Sequence, residues 1–404
     1  MERTLELVVP SPQSAVDLLR IALMEIPEGG TFLDAAICFM PDDAFTELTK
    51  LALEKFKVNR KNRLAESILH YCSLQSVRTL HPHLTTIFEL LPNGGTYYEF
   101  WPWRESGKQH FAYLRTALEN ELVDERRRRS WKAMVETREP EVLQFAISKA
   151  HRIGMNERCK EYLLLVGFEH QKTGFRKLYT DPVYHLFFAP DYFRIKEEPQ
   201  VRWRDMIRQN HPTWKLSDSR APKMRFGGNS TSYCACCGGE LHHLITLEPI
   251  PDTLEITGIQ RLELASCLSC LGWEQPRLFY KHDRVGQPLQ IGFDGARVTP
   301  KFPAVALKPT EVQMAQISPR WQWQDDAASN GRENLYRVGG NPCWIQHSEY
   351  PTCPECSQRM KFMLQITSNL PTVEGGSWMW GDAGICYCFW CDTCKVSAYL
   401  WQCY

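Results

Sequence analysis

Apolar residues in the first half of the chain recur at the spacing of helices. Residues 15–23 and 45–56 each repeat apolar side chains every three or four positions, as one face of an amphipathic helix requires. Another such stretch, residues 141–147, follows Pro140, and proline is favoured at the first position of a helix. Segments of similar length between short polar breaks predict stacked helix pairs of the HEAT-like kind over residues 1–195.

The pattern changes across residues 190–199, where prolines and aromatic residues replace the helical period. Beyond residue 200, prolines and glycines separate short apolar runs that are typical of β-strands. The clearest runs are residues 244–247, 262–264, 302–307 and 385–390.

The chain is therefore predicted to be α+β, with an α-helical repeat-like domain at 1–195 and a β-rich domain at 200–404. Two parts of the second domain have the same order of features along the sequence. Each begins with a glycine-rich segment, followed by a pair of cysteines, predicted strands and a second pair of cysteines. This likeness predicts two lobes, at about residues 225–290 and 335–404.

Composition and charge narrow the functional classes. The 404 residues are 43% hydrophobic, enough for substantial cores, and 47 basic side chains balance 47 acidic ones. A neutral chain does not favour wholesale binding to nucleic acid or membranes. We expect no membrane span, because no run approaches 18 uncharged apolar residues, and no signal peptide. Sixteen cysteines without a signal peptide favour reduced, metal-binding thiols over disulfides. We therefore expect the protein to be cytoplasmic.

Eight of the 16 cysteines form four C-x-x-C turns, which occur as two sets. The first cysteine set is Cys234, Cys237, Cys267 and Cys270, and the second cysteine set is Cys353, Cys356, Cys391 and Cys394. One C-x-x-C turn directs two thiolates to the same side, and two turns can close a tetrahedron around Zn²⁺ with no open position. Gaps of 29 and 34 residues between the paired turns leave room for strands. We predict two structural zinc sites, one in each lobe.

Some neighbouring residues could replace a ligand. Cys236 lies inside the first turn, and His242 and His243 follow it closely. Cys386 and Cys388 alternate with apolar residues, and we expect them to pack in the core, because buried free cysteine behaves as a small hydrophobe.

Motifs for catalysis are absent from the sequence. It has no phosphate-binding loop, dinucleotide-binding glycine motif, H-E-x-x-H or G-x-S-x-G. Zinc deaminases combine P-C-x-x-C with an upstream H-x-E, but here Thr352 precedes Cys353 and no H-x-E lies upstream at a suitable distance. We therefore predict that the chain is not an enzyme and binds no organic cofactor.

Three segments of the last lobe resemble a known family. Val338–Gln346, Met360–Ile366 and Trp380–Phe389 are similar to the GG-x-P-x-W-x-Q, M-x-F-L-x-Q-I and W-G-D-x-G-x-x-Y-x-F segments of YwqG-like bacterial proteins. Their order among the C-x-x-C turns also resembles the zinc-binding N-terminal part of programmed cell death protein 2. The resemblance covers about residues 335–404 well and 225–290 loosely, and it leaves the helical half uncovered.

The resemblance implies protein binding rather than catalysis. Some YwqG-like proteins are thought to lie in toxin–immunity loci, and the programmed cell death relatives are dedicated chaperones for a ribosomal protein. We therefore expect this chain to recognise another protein, either a toxin that it neutralises or a newly made client.

Nucleic-acid recognition is the alternative. It would use zinc ribbons together with the basic run Arg126–Arg129, which precedes Trp131 and Lys132. The aromatic segment 97–103 could be either a core element or an exposed contact. Residues 321–326, in what reads as a polar linker between the lobes, are a further candidate contact.

Overall fold

The computed structural model describes residues 12–25, 36–90, 101–193, 210–216, 218–329 and 331–404. They form two compact units. The helical unit contains the described residues up to Arg176 together with Pro319–Gln324, and the sheet unit contains those of Lys177–Ser318 and Asp325–Tyr404. The predicted α+β class is confirmed.

Eight α-helices lie in the described part of the helical unit. They are α1 Pro12–Glu25, α2 Ala44–Val58, α3 Arg63–Gln75, α4 Leu84–Leu90, α5 Phe111–Asn120, α6 Asp124–Glu136, α7 Pro140–Ala150 and α8 Asn156–Leu165. Local signals explain two starts: the Asn62 side chain accepts from the Ala65 amide at 2.9 Å before α3, and Pro140 opens α7. Within the described ranges, every helix is too short or too polar to cross a bilayer.

Large aromatic side chains fill the core of the helical unit. Trp131 is fully buried, and its indole nitrogen donates to the Ala146 carbonyl at 2.7 Å. Trp101 and Trp103 of the candidate aromatic segment are also buried, so these two residues are core rather than an exposed contact surface. Residues 97–100 of that segment lie outside the described residues.

Residues 319–324 pack among the helices instead of forming a polar linker. The indole of Trp323 lies between two guanidinium groups, 4.3 Å from Arg104 and 4.1 Å from Arg138. Trp321 is only 4% exposed. Trp321 is therefore a core residue rather than a contact, whereas Trp323 is half-buried.

Arg320 is the polar anchor of this segment. Its side chain is buried and donates to the Gln75 side chain at 2.9 Å and to the carbonyls of Ile37 and Cys38 at 3.0 and 3.2 Å. It also donates to the carbonyl of Met40. One guanidinium therefore donates to several buried acceptors, of which the Ile37 carbonyl also accepts from the Met40 amide at 3.3 Å.

The sheet unit is built on one antiparallel sheet of 11 strands. The strands of the described residues are β1 Phe168–Gln171, β2 Gly174–Lys177, β3 Tyr184–Phe188, β4 Lys223–Tyr233, β5 Glu240–Leu247, β6 Leu262–Ser266, β7 Leu278–His282, β8 Pro288–Ile291, β9 Leu307–Gln316, β10 Arg337–Val338, β11 Lys361–Thr367, β12 Leu370–Pro371, β13 Ser377–Trp378, β14 Ile385–Cys391 and β15 Val396–Gln402. Of these, β1 and all but the last residue of β2 lie in the helical unit. The order is β6-β5-β4-β9-β3-β10-β11-β14-β15-β7-β8, while β1-β2 and β12-β13 form separate pairs.

The two ends of this sheet approach each other. Strands β6 and β8 are the ends of the order, yet the Glu263 amide donates to the Gly286 carbonyl at 2.9 Å. Gly286 has a positive φ of 76°, and a Cβ there would lie 1.9 Å from the Arg261 carbonyl oxygen. Glycine therefore permits the contact, and the sheet is nearly closed.

The strands of the two expected lobes belong to this single sheet. Strands β7 and β8, from the first expected lobe, continue the sheet beyond β15 of the second. Two lobes with separate cores are thus not what the described residues form. The likeness between the two outlines reflects their cysteine turns, which are local, whereas strand pairing depends on distant contacts.

The change from helix to sheet comes earlier than residues 195–200. Strands begin at Phe168, and β3 lies in the middle of the large sheet. The compact units divide at Lys177. The run 302–307 is also not a strand as predicted: Pro303 lies in an irregular segment, and β9 begins at Leu307.

Close packing explains the glycine pair of the family motif. Gly339 and Gly340 have φ of 73° and 77°, and a Cβ on Gly340 would lie 2.3 Å from the Val183 side chain. Trp344 is half-buried, with its ring 4.8 Å from that of Tyr387. These residues therefore have structural roles in the sheet unit.

We predict that Arg320→Met destabilises the helical unit by about 3 kcal/mol, because the buried carbonyls lose their donor while the packing of the stem is kept. Hydrogen exchange of the α2 and α3 amides should accelerate accordingly. The matched control is Arg78→Met, because that side chain is 85% exposed and should contribute almost nothing. Equal protection in both variants would contradict this role for Arg320.

Candidate metal centres

The first cysteine set joins three strands of the sheet. Cys234 and Cys237 lie in the turn between β4 and β5, and Cys267 and Cys270 follow β6. Their sulfur atoms all lie within 4.8 Å of one another. The Cys234–Cys270 distance is 3.9 Å and the Cys237–Cys267 distance is 3.7 Å.

The second cysteine set is built the same way. Cys353 and Cys356 lie in the connection from β10 to β11, Cys391 ends β14, and Cys394 lies in the turn to β15. The four sulfur atoms again lie within 4.8 Å, with 3.6 Å between Cys356 and Cys391. Each set thus brings together the four cysteines that the spacing predicts.

The sulfur spacing fits a tetrahedral metal ion. A metal–sulfur bond of about 2.3 Å places tetrahedral sulfurs about 3.8 Å apart, whereas a disulfide brings them to about 2 Å. The measured distances of 3.6–3.9 Å match the first arrangement. All 16 cysteines are free thiols. Both sets could therefore hold a metal ion.

The electrostatics of the sulfurs also call for a cation. In the first set, hydrogen bonds shared with Cys267 and Cys270 lower the pKa of Cys234. The same shared bonds raise the pKa of Cys267 and of Cys270. Without a metal ion the four sulfurs thus do not all ionise together. A divalent cation removes this constraint, and all four sulfurs can then bind as thiolates.

The backbone of the cysteine turns is shaped for close sulfurs. The residue after the second cysteine has a positive φ in three turns: 80° at Gly238, 59° at Ser357 and 55° at Lys395. The Gly238 amide donates to the Cys234 carbonyl at 2.8 Å, and the Ser357 amide to the Cys353 carbonyl at 2.9 Å. Glycine adopts a positive φ at no steric cost, whereas at Ser357 and Lys395 the same conformation is strained.

Side chains of neighbouring strands hold the first cysteine set in place. The Cys267 amide donates to the Tyr280 hydroxyl at 3.0 Å, and the Ala235 amide donates to the Gln290 side chain at 2.8 Å. The Leu268 amide donates to Nδ1 of His242 at 3.2 Å. Such contacts orient metal ligands through their backbone.

The two histidines near the first set have other partners. Nε2 of His242 lies 3.3 Å from the Ala304 carbonyl, while His243 lies 2.9 Å from the Gly227 carbonyl and 2.7 Å from the Thr246 hydroxyl. Burial lowers the pKa of both, so they are neutral. Neither belongs to the four-sulfur group, and they support the fold rather than replace a ligand.

Asp392 plays the corresponding supporting role in the second set. It lies between Cys391 and Cys394 and accepts from the Thr257 amide at 2.9 Å and the Thr257 hydroxyl at 2.6 Å. Lys395 donates to the same carboxylate at 2.7 Å, and these bonds lower the pKa of Asp392 against the opposing effect of burial. The turn is thereby tied to the connection between β5 and β6.

The other cysteines of the sheet unit do not join either set. Cys236 is buried beside the first set, and burial raises the pKa of its thiol. Cys386 and Cys388 are buried on β14, where burial raises both pKa values. The last two are therefore core residues, as the sequence predicts.

An aromatic cluster next to the first set was missed by sequence reasoning. Trp273 follows Cys270 closely and is 41% exposed, and Phe302 is 44% exposed with its ring 4.6 Å away. The half-buried Trp401 lies 5.3 Å from Trp273 and donates to the Leu271 carbonyl at 2.9 Å. We call Trp273, Phe302 and Trp401 the Trp273 patch. The sequence indicates this patch only through Trp273, an aromatic residue three positions after Cys270.

The arginine run does not form one basic surface. Arg126 and Arg127 both form ion pairs with carboxylates of the helical unit. Arg129 is buried and donates to the Phe88 carbonyl at 2.7 Å. Arg128 alone of the four is exposed.

Comparison with known proteins gives a short match. A stretch of 66 residues is 35% identical to a Salmonella typhimurium (strain LT2) protein called Uncharacterized protein YpfL, and it covers 16% of this chain. The chain spans only 14% of that relative's length. No family model matches, and no solved structure does. The comparisons therefore identify no family.

We predict that each cysteine set binds one metal ion. Cys237→Ser and Cys356→Ser should each lose about one metal equivalent of two, because a tetrahedral site with three thiolates binds far more weakly. Elemental analysis of gently purified protein measures this directly. Cys403→Ser is the control, since Cys403 lies outside both sets, and it should keep both ions. Unchanged metal content in the first two variants would refute the assignment.

Proposed function

We propose that this chain is a non-catalytic, cytoplasmic protein-binding protein whose sheet is stabilised by two structural zinc ions. Zinc is the ion that four-cysteine structural sites characteristically bind, and it has no redox chemistry of its own. The proposed role is recognition of another protein. We favour a toxin that this protein neutralises, and the closely related alternative is a newly made protein for which it acts as a chaperone.

The closed form of both cysteine sets carries this proposal. Catalytic zinc keeps an open position beside three protein ligands, whereas each set here offers four sulfurs at tetrahedral spacing. A metal ion enclosed in this way has no position for a substrate or an activated water. Its contribution is rigidity, and in a binding protein rigidity lowers the entropic cost of association.

The Trp273 patch is the binding surface that this rigidity supports best. The Trp273 amide donates to the Cys270 carbonyl at 3.3 Å, so the exposed indole is held by the backbone of a metal turn. Tryptophan is enriched among the residues that dominate binding energy at protein interfaces. Exposed rings that are already ordered are suited to that role, because they lose little freedom on binding.

The choice of a toxin or a client as the partner depends on the YwqG-like resemblance of a few motif residues. The YwqG-like resemblance covers the glycine pair at 339–340, Trp344 and the strand beginning at Ile385, whose positions in the sheet unit are described above. The toxin or client partner and the HEAT-like character of the helical unit are parts of the same proposal. The helical unit has the paired neighbours α2–α3 and α5–α6 that a repeat of helix pairs needs.

Nucleic-acid binding has less support. A protein that follows a phosphate backbone needs several free cations along one surface. Three of the four clustered arginines are instead engaged within the helical unit.

We predict that the double variant Trp273→Ala/Phe302→Ala weakens partner binding about thirtyfold or more, the loss expected of an interface hot spot. The partner is first isolated with the full-length protein from the native cell. Affinity is then measured by surface plasmon resonance for the wild-type protein and the variant.

The matched control is Val285→Ala/Leu289→Ala, which removes similar exposed apolar area elsewhere on the sheet unit, from side chains 61% and 69% exposed. It should bind normally. Equal affinity in all three proteins would overturn the patch assignment. Steeply salt-dependent binding to DNA or RNA would overturn the protein-binding proposal itself.

A further inference from the structure

A polar cavity between two helices of the helical unit is unrelated to either cysteine set. Its volume is about 260 Å³. Its lining comprises Glu125, Arg128, Lys132, Gly154, Met155 and Arg158. The first three belong to α6, and the last three lie at the start of α8. Three basic side chains from two elements therefore converge on one space, with one acidic side chain at its edge.

Two of the basic groups are not used by the fold. Arg128 and Arg158 are exposed and, among the described residues, form no ion pair or hydrogen bond. This contrasts with Arg126 and Arg127 of the same helix, which are paired with carboxylates. Lys132 is half-buried and lies 5.3 Å from the Tyr162 ring.

The backbone at the start of α8 adds to the positive character. Met155 occupies the N-cap position and offers no side-chain acceptor to the first turn. The amide groups of a helix start carry partial positive charge and favour anions. Arg158 belongs to that first turn and lines the cavity, whereas the acidic Glu157 of the same turn lies outside the lining. Within the lining, the helix start and the three basic side chains favour the same sign of ligand.

We propose that this cavity binds a phosphate group of a small phosphorylated molecule. Guanidinium groups donate paired hydrogen bonds that match phosphate oxygens, and lysine adds a point charge. A volume of about 260 Å³ is below the range of about 300–1,000 Å³ typical of drug-sized ligands. The cavity thus suits a compact anion.

Glu125 opposes anion binding, so its substitution should change phosphate affinity in the opposite direction to substitution of the basic residues. Its carboxylate lines the cavity and forms no ion pair among the described residues. Removing this charge should strengthen phosphate binding, whereas removing a neighbouring positive charge should weaken it. A structural role for these exposed residues would not produce opposite effects on affinity.

The test measures binding of inorganic phosphate to the full-length protein by isothermal titration calorimetry at fixed ionic strength. Saturable binding is expected, weakened about tenfold or more by Arg128→Gln and by Arg158→Gln. Glu125→Gln should tighten binding severalfold. The matched control Arg152→Gln removes an exposed arginine outside the lining and should change affinity less than about twofold.

The source of the phosphate is resolved by a second titration with single-stranded RNA. Weaker binding of RNA than of phosphate, at equal phosphate concentration, supports the small-ligand assignment. Tighter RNA binding that depends on Arg128 would overturn that assignment in favour of a nucleic acid. No phosphate binding, or binding insensitive to all three cavity substitutions in variants with unchanged thermal unfolding, would overturn the site itself.

Discussion

The close approach of four cysteine sulfurs in each set is the constraint on which this account of the sheet unit depends, because all four can bind as thiolates only around a cation. The first cysteine set links the β4–β5 turn with the segment that leaves β6. That segment leads into β7, which pairs with β15 at the opposite end of the sheet order. The chain therefore passes through a cysteine set that could hold a metal ion at the point where it crosses between the two ends of the sheet. Closing a thiolate site contributes an apparent 10–16 kcal/mol in small zinc peptides, roughly the whole stability of an ordinary domain.

Features that matter for recognition follow from this closure. Trp273 is placed by the backbone of a metal turn, and Trp401 on β15 packs against it because Gly272 leaves no Cβ in the way. The second set fixes the β14–β15 turn, where Asp392 reaches the connection between β5 and β6. The two cysteine sets thus lie at distant parts of one sheet, and on the proposed function a metal ion in the first set would hold the turn that carries Trp273.

The parts that could be predicted from the sequence are local. Four C-x-x-C turns specify their own geometry, so all eight cysteines are found where spacing predicts. Strand pairing is not local, and the two expected lobes proved to be one sheet. Strand β4 was not predicted because its residues are mostly polar or glycine. Strand β9 was not predicted because proline and charged residues interrupt its alternation of apolar and polar side chains. The partners of Arg126, Arg127 and Arg129 are carboxylates and a carbonyl that lie near them in the folded chain. The roles of these arginines could therefore not be predicted from the sequence.

Removal of metal from the intact protein tests the central claim most directly. After a strong chelator has stripped both sites, hydrogen exchange measured by mass spectrometry reports separately on the helices and on the sheet. The account predicts that the amides of β4 to β8 and of β11 to β15 lose protection while α2 to α8 keep theirs, and that restored zinc reverses the loss. Full protection of the sheet in metal-free protein would contradict it.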